Sequence, residues 1–238
     1  MALNESSIPD TTLEALARTF FKDSVNYGFK KVDYLRFVNV LLDVAMSNSQ
    51  TLEENGHSIE AVHVDDDADV DGFPLVSERL FIRSYKSKDK KLLQNWLKEK
   101  EGRHFLLSRV TAKTEQIDKF VNNKSCLIGI ITLKDDSPIG AVSFCDHNKQ
   151  QHRAELRKLI GDPTKRQLGY AKEATQLWIQ YGIQTLGLKK IYLSTLNTNI
   201  RNIKLNEELG FQVEGILRNE VYFDEKHHDV LRMGMFVE

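Results

Sequence analysis

Residues 153–161 form a strand-like run, and residues 170–186 carry the strongest helix pattern of the C-terminal half. Between them lies a basic, glycine-bearing joint: Arg166, Gln167, Leu168, Gly169, Tyr170 and Ala171, continued by Lys172, Glu173 and Ala174. No other feature limits the fold as strongly as this order of strand, joint and helix. The first turn of a helix has unpaired backbone N–H groups and a partial positive charge. A basic joint at that point is a natural phosphate cradle. Lys165 and Arg166 could also be a surface pair near a helix start, where positive charge is mildly unfavourable. A bound polyanion accounts for their placement better.

The rest of the chain supplies the context. Residues 1–10 read as a frayed lead-in. Leu13, Leu16, Ala17, Phe20, Phe21 and Val25 recur at helical spacing, with Thr11 or Thr12 as N-cap. Gly28 breaks the pattern, and a second helix is expected over 32–46. Two such helices make a hairpin too small to bury a core alone. A docking or dimerisation role for residues 1–50 follows. Residues 51–73 read as a linker, with eight acidic side chains and no Lys or Arg across 51–74. Asp65, Asp67 and Asp69 alternate as calcium ligands do, but Val70 and Val76 stand where an EF-hand needs glycine and glutamate. A solvated acidic linker is the plainer reading.

Residues 74–238 read as α/β. Strands are expected over 77–83, 126–132, 139–144, 153–161 and 190–195, then over 211–223 and 230–237 with 224–228 as their connection. Helices are expected over 88–100, 113–122, 170–186 and 199–209, the last closed by Gly210. Strands first, then strand–helix–strand–helix, predict a mixed α/β sheet with a parallel section at its middle. Ligands of such sheets bind at the carboxyl ends of the strands.

Composition excludes several classes. A net charge of −1 gives no global attraction to nucleic acid or to an anionic membrane. No apolar run reaches the roughly 18–20 residues of a bilayer span. The N-terminus lacks a basic flank and an apolar segment, so a cytoplasmic protein is expected. Cys126 and Cys145 lie in apolar runs and read as buried free thiols. No metal site is expected.

Residues 74–238 resemble the GNAT acetyltransferases, in particular the branch acting on N-termini of ribosomal proteins and its small-molecule relatives. Residues 77–83 look like that family's opening strand, with Asp89 and Trp96 in place. Arg153, Ala154 and Glu155 resemble its central strand, and Arg166, Gly169 and Ala171 its CoA pyrophosphate loop. Residues 199–211 resemble its following helix, and Glu214, Gly215, Leu217, Arg218 and Asp229 its last hairpin. Three positions depart from the pattern. Gln167 stands where a second glycine is usual, Arg157 and Lys158 where Gly-Tyr is usual, and Asn206 where the general-acid tyrosine is usual.

The resemblance implies a GNAT-like central mixed β-sheet flanked by helices, preceded by the N-terminal helical hairpin. It implies acetyl transfer from acetyl-CoA to a primary amine by direct attack. Alkylammonium groups titrate near 10, so a base must deprotonate the amine. Glu155 is the candidate base; a salt bridge to Arg153 or Arg157 is the structural alternative. A backbone N–H of Leu159 or Ile160 would stabilise the oxyanion, with Ile160 favoured. Pantetheine would pair with the backbone at 159–161, and Arg166, Gln167, Leu168, Gly169, Tyr170 and Ala171 would surround the pyrophosphate. Asn199 would contact CoA or cap its helix. Arg157 and Lys158, as substrate-side cations, favour an acceptor with an anionic group, such as a nucleotide-linked amino sugar, over a protein N-terminus or a polyamine. An amide at Asn206 cannot protonate a thiolate, which leaves Tyr192, Tyr222, His228 or water. The competing function is a CoA-binding regulatory or assembly module without turnover. A homodimer through the hairpin is expected.

Overall fold

The computed structural model describes residues 9–26, 28–51, 72–99, 114–196 and 199–237. The acidic segment at 52–71, with its calcium-like spacing, lies outside the described residues. The chain divides into two compact units, Met1–Ser58 and Ile59–Glu238.

The first unit is a helical hairpin, α1 (Asp10–Asn26) and α2 (Lys31–Thr51). Helix α1 starts earlier than the threonines suggest. The N–H groups of Thr12 and Leu13 donate to the Pro9 carbonyl, so Thr11 and Thr12 lie inside the first turn. Gly28 turns the chain at φ +79°. Phe20 stacks on Phe37 at 4.4 Å, and the hydroxyls of buried Ser24 and Tyr34 meet at 2.8 Å. This aromatic seam is narrow. Leu16, Phe21, Leu35, Val38 and Leu42 are all exposed.

The second unit is built on one eight-stranded sheet. In chain order its elements are β1 (Leu75–Val76), β2 (Leu80–Ser84), α3 (Lys90–Lys98), α4 (Thr114–Val121), β3 (Leu127–Leu133), β4 (Pro138–Asn148) and β5 (Arg153–Ile160). There follow α5 (Tyr170–Gln184), β6 (Lys190–Leu196), α6 (Ile200–Glu208), β7 (Gln212–Phe223) and β8 (Lys226–Phe236). The strand order is β1-β2-β3-β4-β5-β6-β8-β7. Every pairing is antiparallel except β5 with β6, the two strands joined by α5. The expected connection over 224–228 is much tighter. Asp224 and Glu225 both take positive φ, and Phe223 pairs with Lys226. Two consecutive left-handed residues match the twist of a two-residue hairpin, which lets β8 begin at Lys226.

Period-2 alternation sends successive side chains to opposite faces. On one face Val142, Phe144, Ala154, Leu156, Ile191 and Leu193 pack with Trp178 and Leu177 of α5. On the other, Ala141, Cys145 and Leu159 pack with Leu93, Trp96 and Leu97 of α3 and Ile117 and Phe120 of α4. Both thiols are free, Cys145 buried and Cys126 half-buried. The ionic anchor of this second layer is Arg83, whose guanidinium grips Asp89 at 2.7 and 2.8 Å just before α3.

Candidate active site

Strand β5 parts from β6 midway along its length. Parallel pairing covers only Arg153 with Lys190, Ala154 with Ile191 and Glu155 with Tyr192. Beyond Glu155, β5 continues to Ile160 on its β4 side alone. The remaining backbone faces a gap. Which residues face it follows from the ladder. Gly161 donates its N–H to Ile139 of β4, and the Leu159 carbonyl lies hard against Gly140, where an added Cβ would come within 2.2 Å. Odd-numbered residues therefore spend their backbone on β4, and Lys158 and Ile160 direct theirs into the gap. The Ile160 carbonyl does so visibly, accepting a bond from Arg166 Nε at 3.0 Å. Of the two residues expected as oxyanion donors, Ile160 turns its backbone to the gap. Leu159 does not: its backbone is committed to β4, and its side chain is core.

The loop expected to cradle phosphate lies at the end of that gap. A 3-10 turn, Pro163–Lys165, is capped by Asp162 and leads into the joint. Gln167 and Gly169 both occupy the left-handed region, at φ 63° and 84°. Gln167 thus adopts the conformation that glycine would take without steric cost. Helix α5 starts immediately afterwards at Tyr170. The joint is held from both sides. Arg166 bonds the carbonyls of Ile160 and Gly161 and the Glu99 carboxylate at 2.9 Å. Its guanidinium is a strut across the loop base, so the cradle relies on backbone N–H groups and the start of α5. Arg79 of the β1–β2 turn donates to the Leu168 carbonyl at 3.1 Å and to Glu173 Oε2 at 2.7 Å, and lies 4.7 Å over the Tyr170 ring. Glu173 also accepts from the Arg79 backbone and the Ser77 hydroxyl. Burial opposes its ionisation, but these donors outweigh it and hold the carboxyl below its ordinary range. Asn199 caps α6, accepting from the Asn202 N–H at 3.4 Å. Sequence reasoning missed the Arg79 latch, because its partners lie 89 and 94 residues away.

The cluster at Glu155, Arg157 and Lys158 is split between the two faces. Glu155 and Arg157 lie on the α3/α4 face as a buried ion pair. Two Arg157 bonds, from Nε at 3.1 Å and Nη2 at 2.6 Å, fall on Glu155 Oε2. Oε1 has no protein partner among the described residues. Lys158 points to the opposite face and donates to Asn206 Oδ1 on α6. Part of Lys158 remains accessible, yet desolvation of its amine lowers the pKa from 10.5 to about 7. Arg157 and Lys158, expected as a pair, thus lie on opposite faces of β5. Arg157 is matched by a carboxylate, and Lys158 belongs to the α6 side.

Glu155 opens on a cavity of ≈ 440 Å³ among β4, β5, β6, β7 and β8, shared with Asp146, Arg153, Tyr192, Glu220 and Arg232. Burial first, then the Glu155 and Asp146 charges, raise the Tyr192 pKa. Tyr192 itself is buried beneath the Arg232 guanidinium at 4.7 Å. Of the other proposed proton donors, Tyr222 is 65% exposed against His227 at the outer hairpin, where it has no contact with the gap. Asp146, Glu220 and Arg232 had no sequence signature, since three separate strands bring them together.

A sheet that parts between two parallel central strands, with a glycine loop and a helix start at the opening, is the framework of an acyl-CoA-dependent transferase. The chain belongs to the GNAT acetyltransferase family, whose domain model matches residues 79–212. It is 32% identical over 102 residues to spermidine N(1)-acetyltransferase of Escherichia coli, a match covering 43% of this chain and 54% of that protein. The chain thus spans about half the length of that relative. An uncharacterised N-acetyltransferase, p20 of Bacillus licheniformis, is 29% identical over 153 residues, 61% of this chain and 85% of the relative. Among solved structures, spermidine N-acetyltransferase from Vibrio cholerae in complex with CoA and spermine superposes with a TM-score of 0.60 at 22% identity. That match covers 67% of this chain and 96% of the other. The likeness establishes the shared fold.

Proposed function

We propose that the protein transfers acetyl from acetyl-CoA to a small, cationic primary amine. The observation that carries this reading is the position of Glu155, where β5 leaves β6, on the wall of a cavity that also holds Asp146 and Glu220. CoA lies with its pyrophosphate on the backbone of Gln167, Leu168, Gly169, Tyr170 and Ala171 and its pantetheine in the gap. The amine loses a proton to Glu155, directly or through water, and attacks the thioester. The Ile160 N–H meets the oxyanion.

The acceptor class follows from charge. A nucleotide-linked amino sugar would need cations in excess, whereas the cavity wall sets Arg153 and Arg232 against the carboxylates of Asp146, Glu155 and Glu220, and Arg157 is paired with Glu155. Three carboxylates against two guanidinium groups leave the cavity wall net acidic, which suits an amine carrying a further positive charge, as in a polyamine. The curated relative named for spermidine supports the same class. Thiol release from acetyl-CoA should be measured with spermidine, an amino sugar nucleotide and a peptide N-terminus. Spermidine should give the largest kcat/KM, and Glu155→Gln should lower kcat by about 100-fold. CoA binding with no turnover on any amine would overturn the enzyme reading in favour of a binding module. A preference for the amino sugar nucleotide would overturn the acceptor class alone.

A further inference from the structure

Lys158 has no counter-ion among the described residues. Its single polar partner is the Asn206 side chain, which is completely buried and turns its Nδ2 to the Met233 sulfur at 3.8 Å. A partly desolvated ammonium that meets only a neutral amide is a costly arrangement. Such a group makes sense where negative charge appears during a reaction. The gap between β5 and β6 is such a place. Its mouth holds Glu155, its far end leads to the phosphate cradle, and a thioester spanning the two must pass residues 156–160. The α5/α6 face of that stretch carries Leu156, Lys158 and Ile160. Lys158 alone among them can give up a proton.

We propose that Lys158 is the proton donor to the departing CoA thiolate, with Asn206 as the residue that positions it. This rests on the transferase reading above. The acceptor arrives as an ammonium and gives one proton to Glu155 or its water. The nitrogen lone pair then forms the C–N bond. As the C–S bond breaks, its electron pair moves to sulfur, and the Lys158 ammonium transfers a proton there, giving CoA–SH and a neutral lysine. The second nitrogen proton leaves through Glu155, and Lys158 takes up a proton from solvent when CoA departs. The sum is ammonium plus acetyl-CoA giving amide, CoA–SH and one released proton. The acidity is suitable. Desolvation brings the lysine to about 7, below the roughly 8.5 of an alkyl thiol, so the transfer runs downhill. An unperturbed lysine, near 10.4, would hold its proton.

Groups facing Lys158 from the packed elements are few. Asn206 meets it from α6, and Asn206 in turn reaches the Met233 sulfur on β8. Glu155 and Arg157 lie on the opposite face of its own strand.

The test compares wild type with Lys158→Met, Lys158→Arg and the double variant Lys158→Met/Asn206→Tyr. Each is assayed for thiol release from acetyl-CoA across pH 5.5–9.5 and for CoA affinity by calorimetry. The expected result is a loss in kcat of about 100-fold for Lys158→Met with CoA affinity held within about 2-fold. Wild-type kcat should fall at alkaline pH, and that limb should be missing from Lys158→Met. Lys158→Arg should remain as slow as Lys158→Met, because guanidinium keeps its proton. The double variant should regain activity, because a phenol returns an acid from the α6 side. Activity at wild-type level in Lys158→Met, or full activity in Lys158→Arg, would overturn the proposal while leaving the transferase reading intact. A wild type that turns over no amine would overturn both.

Discussion

Arg157 grips Glu155 by one oxygen: its Nε and Nη2 converge on Oε2 at 3.1 and 2.6 Å, and Oε1 accepts no bond from the described residues. The carboxylate is thus oriented with one oxygen unengaged. Glu155→Gln preserves an acceptor for Arg157, so its thermal midpoint should stay close to wild type while kcat falls. Arg157→Leu strands a buried carboxylate and should lose about 3–5 kcal/mol by denaturant titration. Equal stability losses in both variants would contradict this division of roles.

Gln167 sits at φ 63°. A left-handed residue other than glycine costs about 1–2 kcal/mol, and glycine's extra chain entropy offsets roughly 0.5–1 kcal/mol of that gain. Gln167→Gly should therefore be neutral to stabilising by up to about 1 kcal/mol, with an unchanged or lower KM for acetyl-CoA. Gln167→Val, β-branched, should be clearly destabilising. Urea unfolding of the three proteins decides the order.

Arg79 ties the β1–β2 turn to the loop through Leu168 and Glu173. Removing it frees a carbonyl in the cradle and leaves Glu173 half-served. Arg79→Ala should raise the KM for acetyl-CoA by about 10-fold and change kcat much less. A kcat defect with normal KM would place Arg79 elsewhere in the reaction.

Lys158 gives a pH signature independent of turnover. Its folded pKa, about 7, lies below its unfolded value of 10.5. Between those limits the unfolded chain binds more protons, so this group adds stability as pH rises from 7 towards 10.5. At lower pH it opposes folding. Lys158→Met should raise the melting temperature at pH 6, and the advantage should shrink as pH approaches 10. A constant difference across pH would show that the amine is not desolvated.

The hairpin exposes Leu16 and Leu35 at 60% and 69%. Such apolar helices need a covering surface, and we expect a second copy of the chain. Leu16→Glu with Leu35→Glu should convert a dimer to a monomer in sedimentation velocity. A wild type that sediments as a monomer would end the dimer expectation.

Much of the fold was legible because apolar periodicity and turn chemistry are local. The helix at Tyr170, the N-cap at Asn199 and the hairpin around Asp136 all follow from a few adjacent residues. The order of strands and helices gave the parallel pair at the centre. The strand, the left-handed Gly169 and the helix start that frame the proposed phosphate loop were also local. Strand parity also held the information that Arg157 and Lys158 point oppositely, although which face carries α6 and which α3 is not written in the strand.

Other features needed the folded chain. β5 pairs with β6 for three residues and then departs, and that gap arises from sheet twist and the packing of α5, which no local pattern encodes. Gln167 accepts a glycine-like conformation because Arg166 and Arg79 fix the loop on both sides. The Asp146, Glu155 and Glu220 carboxylates meet across three strands, and Lys158 meets Asn206 from 48 residues away. Local preferences set the elements. The environments that tune their side chains come from long-range burial, which depends on how those elements pack.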